Sequence, residues 1–223
     1  MQIPLTDKSV YVVGPNRLQN SLMASFLSKT TGAECTAVEC MAQVPKQDDG
    51  DGNDGDHKCL VLWDCLGMDA ESCLVAYDIE GNDVICKGLS ALFNVSEGLG
   101  IEEKAIPYGA EGFFYEGDMV EDLAKGVRAI FSGELWISRK VLADYMKKTN
   151  NRHQVPKTRK QIPELTRRET EILNMVASGA KNSEIASKLY ISHHTVRTHL
   201  FNIYKKIGVP NRFQAILWAA EHL

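Results

Sequence analysis

No apolar run in this sequence approaches the ~20 residues that a membrane-spanning helix requires. Its first residues, MQIPLTDKSVYVVG, lack a basic stretch followed by a long apolar one. Membrane insertion and secretion are both disfavoured, and the cytoplasm is the expected compartment. The six cysteines, Cys35, Cys40, Cys59, Cys65, Cys73 and Cys86, contain no C-x-x-C pair and no accompanying histidine cluster. That argues against a zinc site or a redox dithiol motif, so no metal is expected and buried thiols in a reducing compartment are the simple reading. The chain also lacks nucleophile–base spacing, a metal-ligand cluster and a glycine-rich phosphate loop, which leaves no case for an enzyme. An aromatic strand platform is missing too, which speaks against RNA as the target.

A hydrophobic content of 44% with 24% charged residues describes a globular protein, and 223 residues suffice for two ordinary domains. The formal charge of −4 hides an uneven distribution. From Lys157 onward there are 11 Lys+Arg against 5 Asp+Glu, whereas residues 1–156 carry 14 against 24. A basic module therefore follows an acidic one, and only the former is suited to approach a polyanion.

Ser9–Gly14 (SVYVVG) reads as a buried strand, followed by a helix with Leu18, Leu22, Phe26 and Leu27 on one face. Thr36–Met41 is a weak second strand. The run DDGDGNDGD at 48–56 has no apolar residue and reads as a solvated loop; it departs from a calcium loop at Asp54 and Leu60. Cys59–Trp63, ending at Asp64, then Leu89–Val95 and Gly112–Tyr115 complete five strands, separated by helix-sized intervals. Such alternation indicates an α/β domain with a parallel sheet. Met119, Leu123, Val127 and Ile130 mark the apolar face of a closing helix, and Ser138 is placed to cap a further helix containing Val141, Leu142 and Tyr145.

Downstream, Thr166-Arg-Arg-Glu169 is a capping box before Ile172, Leu173 and Val176. Asn182 or Ser183 can open a second helix, Tyr190-Ile191 makes a turn, and Ser192 caps a third. In that helix Val196, Leu200, Ile203 and Ile207 form one buried stripe. Two helices joined by a tight turn make a helix-turn-helix. His194, Arg197, Thr198, Phe201 and Lys205 fall opposite the stripe, with Arg197 suited to guanine and Thr198 to a thymine methyl. Phe201 has no evident partner within the domain and is read against thymine methyls or sugar, with packing against the first domain as the rival role. Lys188, Lys205 and Lys206 are read as phosphate clamps, and His199 lies between the two faces.

The segment LTRRETEILNMVASGAKNSEIASKLYISHHTVRTHLFNIYKKIGVPNR resembles the LuxR/FixJ/NarL-type DNA-binding domain. The likeness rests on Leu165-Thr166, Arg168-Glu169, Glu171, Leu173, Gly179, Glu184-Ile185-Ala186, Thr195-Val196, His199, Lys205 and Asn211-Arg212. It implies a four-helix domain with its third helix in the major groove of double-stranded DNA. It also implies a homodimer, with Ala215, Ile216, Trp218 and Ala219 among the interface candidates and RNA polymerase as a further protein partner.

Residues 9–131 are similar to the receiver domains attached to such readers. Asp64 then occupies the phosphoacceptor position, but in degenerate surroundings. Gly14-Pro15-Asn16 stands where receivers carry an acidic pair for Mg²⁺, and Glu116 where they carry lysine. A carboxylate at Glu116 would repel a phosphorylated aspartate. Trp136-Ile137-Ser138-Arg139 resembles the W-[FLM]-[TS]-R element of VpsT/CsgD-type biofilm regulators, with Ile137 departing from the pattern. That resemblance implies cyclic di-GMP as the regulatory ligand: Arg139 stacking on guanine, Ser138 donating to phosphate and Trp136 offering a flat surface. A packing role for the aromatic at the helix junction is the competing reading.

The expected architecture is thus a receiver-like (β/α)5 parallel-sheet domain with a C-terminal extension helix (1–146), a linker (147–162), and an all-α four-helix LuxR-type helix-turn-helix domain (163–223). The expected function is transcriptional control of biofilm or extracellular-matrix genes through ligand-dependent dimerisation. Phosphorylation of Asp64 or protein–protein contact is the alternative input.

Overall fold

The computed structural model describes residues 4–45, 59–69, 72, 89–152, 165–209 and 211–223. The acidic run at 48–56, Cys73, Cys86 and the interval 73–88 lie outside the described residues, as do 153–162 of the expected linker and the first two residues, 163–164, of the expected helix-turn-helix domain. The chain divides into two compact units, Met1–Trp136 and Ile137–Leu223. Each has its own hydrophobic core.

The first unit is built on five parallel strands: β1 (Ser9–Val13), β2 (Glu34–Val38), β3 (Cys59–Asp64), β4 (Leu89–Val95) and β5 (Gly112–Tyr115). Their order is β2-β1-β3-β4-β5. Every residue of β3 is buried, and so is every residue of β4 except the half-buried Asn94. Strands covered on both faces need continuous apolar runs, which is why CLVLW and LSALF do not alternate. The order in which strands are added to the sheet reverses between β1 and β3, making their carboxyl ends the switch point where such sheets build sites. Gly14 and Asp64 sit there.

Helix α1 (Arg17–Thr31) follows β1, α2 (Ile101–Ala105) precedes β5, and α3 (Val120–Phe131) follows it. The face assigned to α1 from sequence needs correction. Leu18 and Leu22 are 77% and 64% exposed, and the buried line is Asn20, Ala24, Leu27 and Thr31. Spacing alone could not choose between the two lines, because the polar Asn20 faces inward. Met119 is likewise outside the core, at 72% exposure, because it lies in extended backbone just before α3 begins. The second strand runs over Glu34–Val38, upstream of the weak signal at 36–41.

The second unit contains α4 (Arg139–Arg152), α5 (Arg167–Ala177), α6 (Asn182–Leu189), α7 (His193–Ile207) and α8 (Arg212–His222). Helix α4 continues through Arg152, into the stretch expected as linker, and groups with this unit. Helix ends are closed locally. The Thr166 hydroxyl accepts from Glu169 N while Glu169 returns the bond to Thr166 N at 2.8 Å. Ser192 accepts from Thr195 N at 3.0 Å, and Asn211 from Gln214 N at 2.9 Å. Asn182 opens α6, as one of the two sequence candidates, and the preceding Lys181 N–H donates to Glu184 Oε2 at 2.7 Å. Each such cap contributes about 1 kcal/mol. The apolar stripe of α7 packs with Ile172, Leu173, Val176 and Ile185 into one core. Ala215 and Ala219 are also inside it, 0% and 3% exposed, which removes both from the interface candidates.

Candidate functional site

Helix α7 carries the groove-reading candidates. His194 and Arg197 lie in its first half, with Thr198 and His199 half-buried beside them. Phe201 is half-buried and is not without a partner in the structure. Lys188 on α6 and Lys205 on α7 are exposed. Lys206 differs from them. Its Nζ donates to Glu169 Oε2 at 2.7 Å, tying α7 to the start of α5. Burial would raise the Glu169 carboxyl, but Lys206 and the bonds from Thr166 outweigh it and hold its pKa below the ordinary value. Tyr190, at φ +53° and 95% exposed, forms the left-handed residue that ends α6 and turns the chain toward α7.

At the switch point of the first unit, Asp64 is 3% exposed. Its carboxylate is engaged on both oxygens. Asn16 Nδ2 donates to Oδ2 at 3.0 Å, while Asn94 Nδ2 and Leu66 N donate to Oδ1 at 2.7 and 3.1 Å. Asn94 reaches it because the backbone there takes φ +54°, a conformation that asparagine tolerates, at an irregularity in the β4–β5 pairing. Gly14 is required for the close approach: a Cβ there would lie 2.6 Å from Asp64 Cβ. Glu116 accepts a bond from Ser96 Oγ at 2.6 Å. The Mg²⁺ that a receiver uses does not fit these residues. Two amides and a backbone N–H meet the carboxylate, and no group of three His, Cys, Asp or Glu that could hold a metal occurs among the described residues. Asn16 is placed near Asp64 by the receiver resemblance, whereas Asn94 and Ser96 were not singled out, since nothing local marks residues so far apart in the chain as neighbours.

The element Trp136–Arg139 falls across the boundary of the two units. Trp136 extends the sheet edge: its N–H donates to Glu111 O at 2.8 Å and its carbonyl accepts from Phe113 N at 3.0 Å. Its ring stacks near Phe114, with centroids 6.1 Å apart, and joins the core cluster over Gly126. Trp136 thus has a packing role. Ile137 is half-buried, Ser138 and Arg139 are exposed, and Ser138 Oγ accepts from Val141 N at 3.3 Å as the cap of α4. Burial pushes the Cys35 thiol, with Glu34 adding to it, up to about 11 and the Cys59 thiol up to about 12, which keeps both protonated and unreactive at neutral pH.

A doubly wound parallel sheet in one unit and a capped helix-turn-helix in the other define a receiver-like DNA-binding regulator. Comparison with known proteins gives the family. Residues 163–219 match the model of bacterial regulatory proteins of the luxR family. The chain is 36% identical over 168 residues to the probable csgAB operon transcriptional regulatory protein of Salmonella typhimurium, covering 74% of each chain. It is 34% identical over 168 residues to the response regulator protein VraR of Staphylococcus epidermidis, covering 73% of this chain and 74% of that one. The crystal structure of the regulatory domain of the master biofilm regulator CsgD matches 62% of this chain and 98% of its own, at 16% identity and a TM-score of 0.49. The chain belongs to the LuxR family of DNA-binding transcriptional regulators with a receiver-like domain. Among the described residues no helix is long and apolar enough to cross a membrane.

Proposed function

We propose that this regulator is switched by non-covalent assembly of its receiver-like unit into a homodimer, without an acyl phosphate on Asp64. The observation that carries the reading is the Asp64 carboxylate itself, buried and met by Asn16, Asn94 and Leu66 N. A phosphoryl group there would have to displace those donors and would find Glu116 in place of a cation. Dimerisation presents two copies of α7 to adjacent half-sites, so that the second contact forms at high effective concentration. His194, Arg197, Thr198, His199 and Phe201 are the proposed readers of the groove, with Lys188 and Lys205 on phosphates and Lys206 bracing α7 from its bond to Glu169.

In its finer form the proposal names cyclic di-GMP as the assembling ligand, at Trp136, Ile137, Ser138 and Arg139, and biofilm or matrix genes as targets. The exposed Arg139 guanidinium and Ser138 hydroxyl at the start of α4 favour a nucleotide. The core position of Trp136 leaves less of its ring for a base. The relative named for the csgAB operon supports the assignment of targets. Phosphorylation of Asp64 is the second reading, favoured by relatives named as response regulators.

One experiment separates the readings: sedimentation and DNA-binding titrations with Mg²⁺ plus acetyl phosphate, or with cyclic di-GMP, on wild type, Asp64→Ala and Arg139→Ala. Assembly that ignores acetyl phosphate supports the proposal. Assembly driven by cyclic di-GMP and lost in Arg139→Ala supports its finer form. A phosphate-driven dimer lost in Asp64→Ala overturns it.

A further inference from the structure

We propose that Tyr145 on α4 is a positioning residue for DNA reading, acting through the first turn of α8 on the N-terminus of α6. Within the second unit, the Tyr145 ring meets Phe213 edge-on, with centroids 5.5 Å apart at 67°. Its hydroxyl accepts a hydrogen bond from Gln214 Nε2 at 3.1 Å. Phe213 is 4% exposed. Tyr145 thus grips two neighbouring residues of α8 by two different interactions, one apolar and one polar.

The same turn of α8 reaches the helix-turn-helix on its other side. Asn211 caps it through Gln214 N. Arg212, 9% exposed, donates through Nη1 to Asn182 Oδ1 at 3.0 Å and through Nη2 to Ala180 O. Asn182 is the first residue of α6 and 2% exposed. A buried guanidinium and a buried amide have no water to turn to, so displacing α8 breaks a charge-assisted bond and strands both groups. Helix α6 in turn packs Ile185 into the core that seats Val196 and Leu200 of α7. Four consecutive residues, 211–214, therefore join α4 to α6 and through it to the reading helix by direct contacts. Tyr145 lies upstream of the segment matched to the luxR family, 163–219, so the family match assigns it no role. The inference concerns the second unit alone and stands whether or not a nucleotide controls the chain.

The test uses the full chain and a duplex enriched from a random-sequence pool by the wild type, with Kd from fluorescence anisotropy at fixed salt. Hydrogen exchange is followed in peptides spanning 166–177, 180–189 and 211–216. Tyr145→Ala is expected to weaken the duplex complex roughly threefold to thirtyfold, the range for couplings carried through packed networks. Exchange should quicken at 180–189 as well as 211–216, while 166–177 keeps its protection. Tyr145→Phe, which keeps the ring and loses the hydroxyl, should fall between, and Gln214→Ala should add nothing to Tyr145→Phe. Faster exchange confined to 211–216 with unchanged Kd overturns the proposal, since Tyr145 would then merely cover Phe213. If Tyr145→Ala loses protection throughout the unit, Tyr145→Phe and Gln214→Ala decide. A weaker complex with faster exchange at 180–189 supports the role, and wild-type behaviour in both overturns it.

Discussion

Around Asp64, the side-chain hydrogen-bond partners come from 48 and 30 residues away, Asn16 and Asn94, and meet only because three parallel strands end side by side. Around Thr166, Ser192 and Asn211, the partners lie three residues on, and the helix brings them together by its own pitch. The first unit keeps a receiver-like sheet and its Asp64, but surrounds that carboxylate with the amides of Asn16 and Asn94 and carries Glu116 where receivers carry lysine. The second keeps the pattern of its family over residues 163–219. The contrast shows that a fold's scaffold and its chemistry can part company. A strand core is fixed by bulk apolar packing, whereas a site at strand ends rests on a few side chains whose replacement leaves the core untouched.

Core truncation gives the largest expected effects and asks whether the units are as separate as their cores. Phe93→Ala and Ile203→Ala remove side chains that are 2% and 0% exposed, each at a loss of about 2–5 kcal/mol. In calorimetry each should lower one unfolding transition and leave the other in place. A single merged transition shifted by either substitution would break the comparison.

Asp64→Ala comes next, since it strands the amides of Asn16 and Asn94 and the Leu66 N–H. A loss of about 1–3 kcal/mol in denaturant unfolding of the first unit is expected. A neutral outcome would show that the aspartate is no longer part of the scaffold. Gly126→Ala should cost about 1–3 kcal/mol in the same measurement, because the new Cβ would lie 2.2 Å from Phe114 Cε1 and 2.9 Å from Trp136 Cδ2. Full tolerance would mean that the Trp136 ring readily leaves the core, which would favour a ligand-facing role for it.

The smallest effects test the local side of the comparison. Thr166→Ala should remove about 1 kcal/mol from the second unit, read from its unfolding midpoint. Glu169 has a lowered pKa when folded, so its contribution is full above the ordinary carboxylate value and declines as pH falls through the folded one. Stability of the second unit should therefore drop on acidification below about pH 4, the ordinary carboxylate range. Glu169→Gln should flatten that drop. An unchanged acid limb in Glu169→Gln would remove the Lys206 pair from the account.

Much of the architecture was legible because its determinants are periodic. The runs CLVLW, LSALFNV and GFFY coincide with β3, β4 and β5, and the i, i+4, i+7, i+11 stripe of α7 is buried along its length. The reading failed where burial was not apolar. Asn20 faces inward on α1 while Leu18 and Leu22 face out, which reverses a pattern based on hydrophobicity. It also stopped short where a charged side chain found a distant partner, as Lys206 did with Glu169.

By itself, the sequence determined the parallel α/β class and the capped helix-turn-helix, while the resemblance to receivers implied the loss of carboxylate and lysine near Asp64. These depend on residue type, on period and on spacings of a few residues. Only the tertiary structure decided that Asn16 and Asn94 enclose Asp64, that Trp136 joins the core, and that Tyr145 grips α8. Those contacts link residues far apart in the chain, and their geometry is set by the packing of whole strands and helices, which no local pattern records.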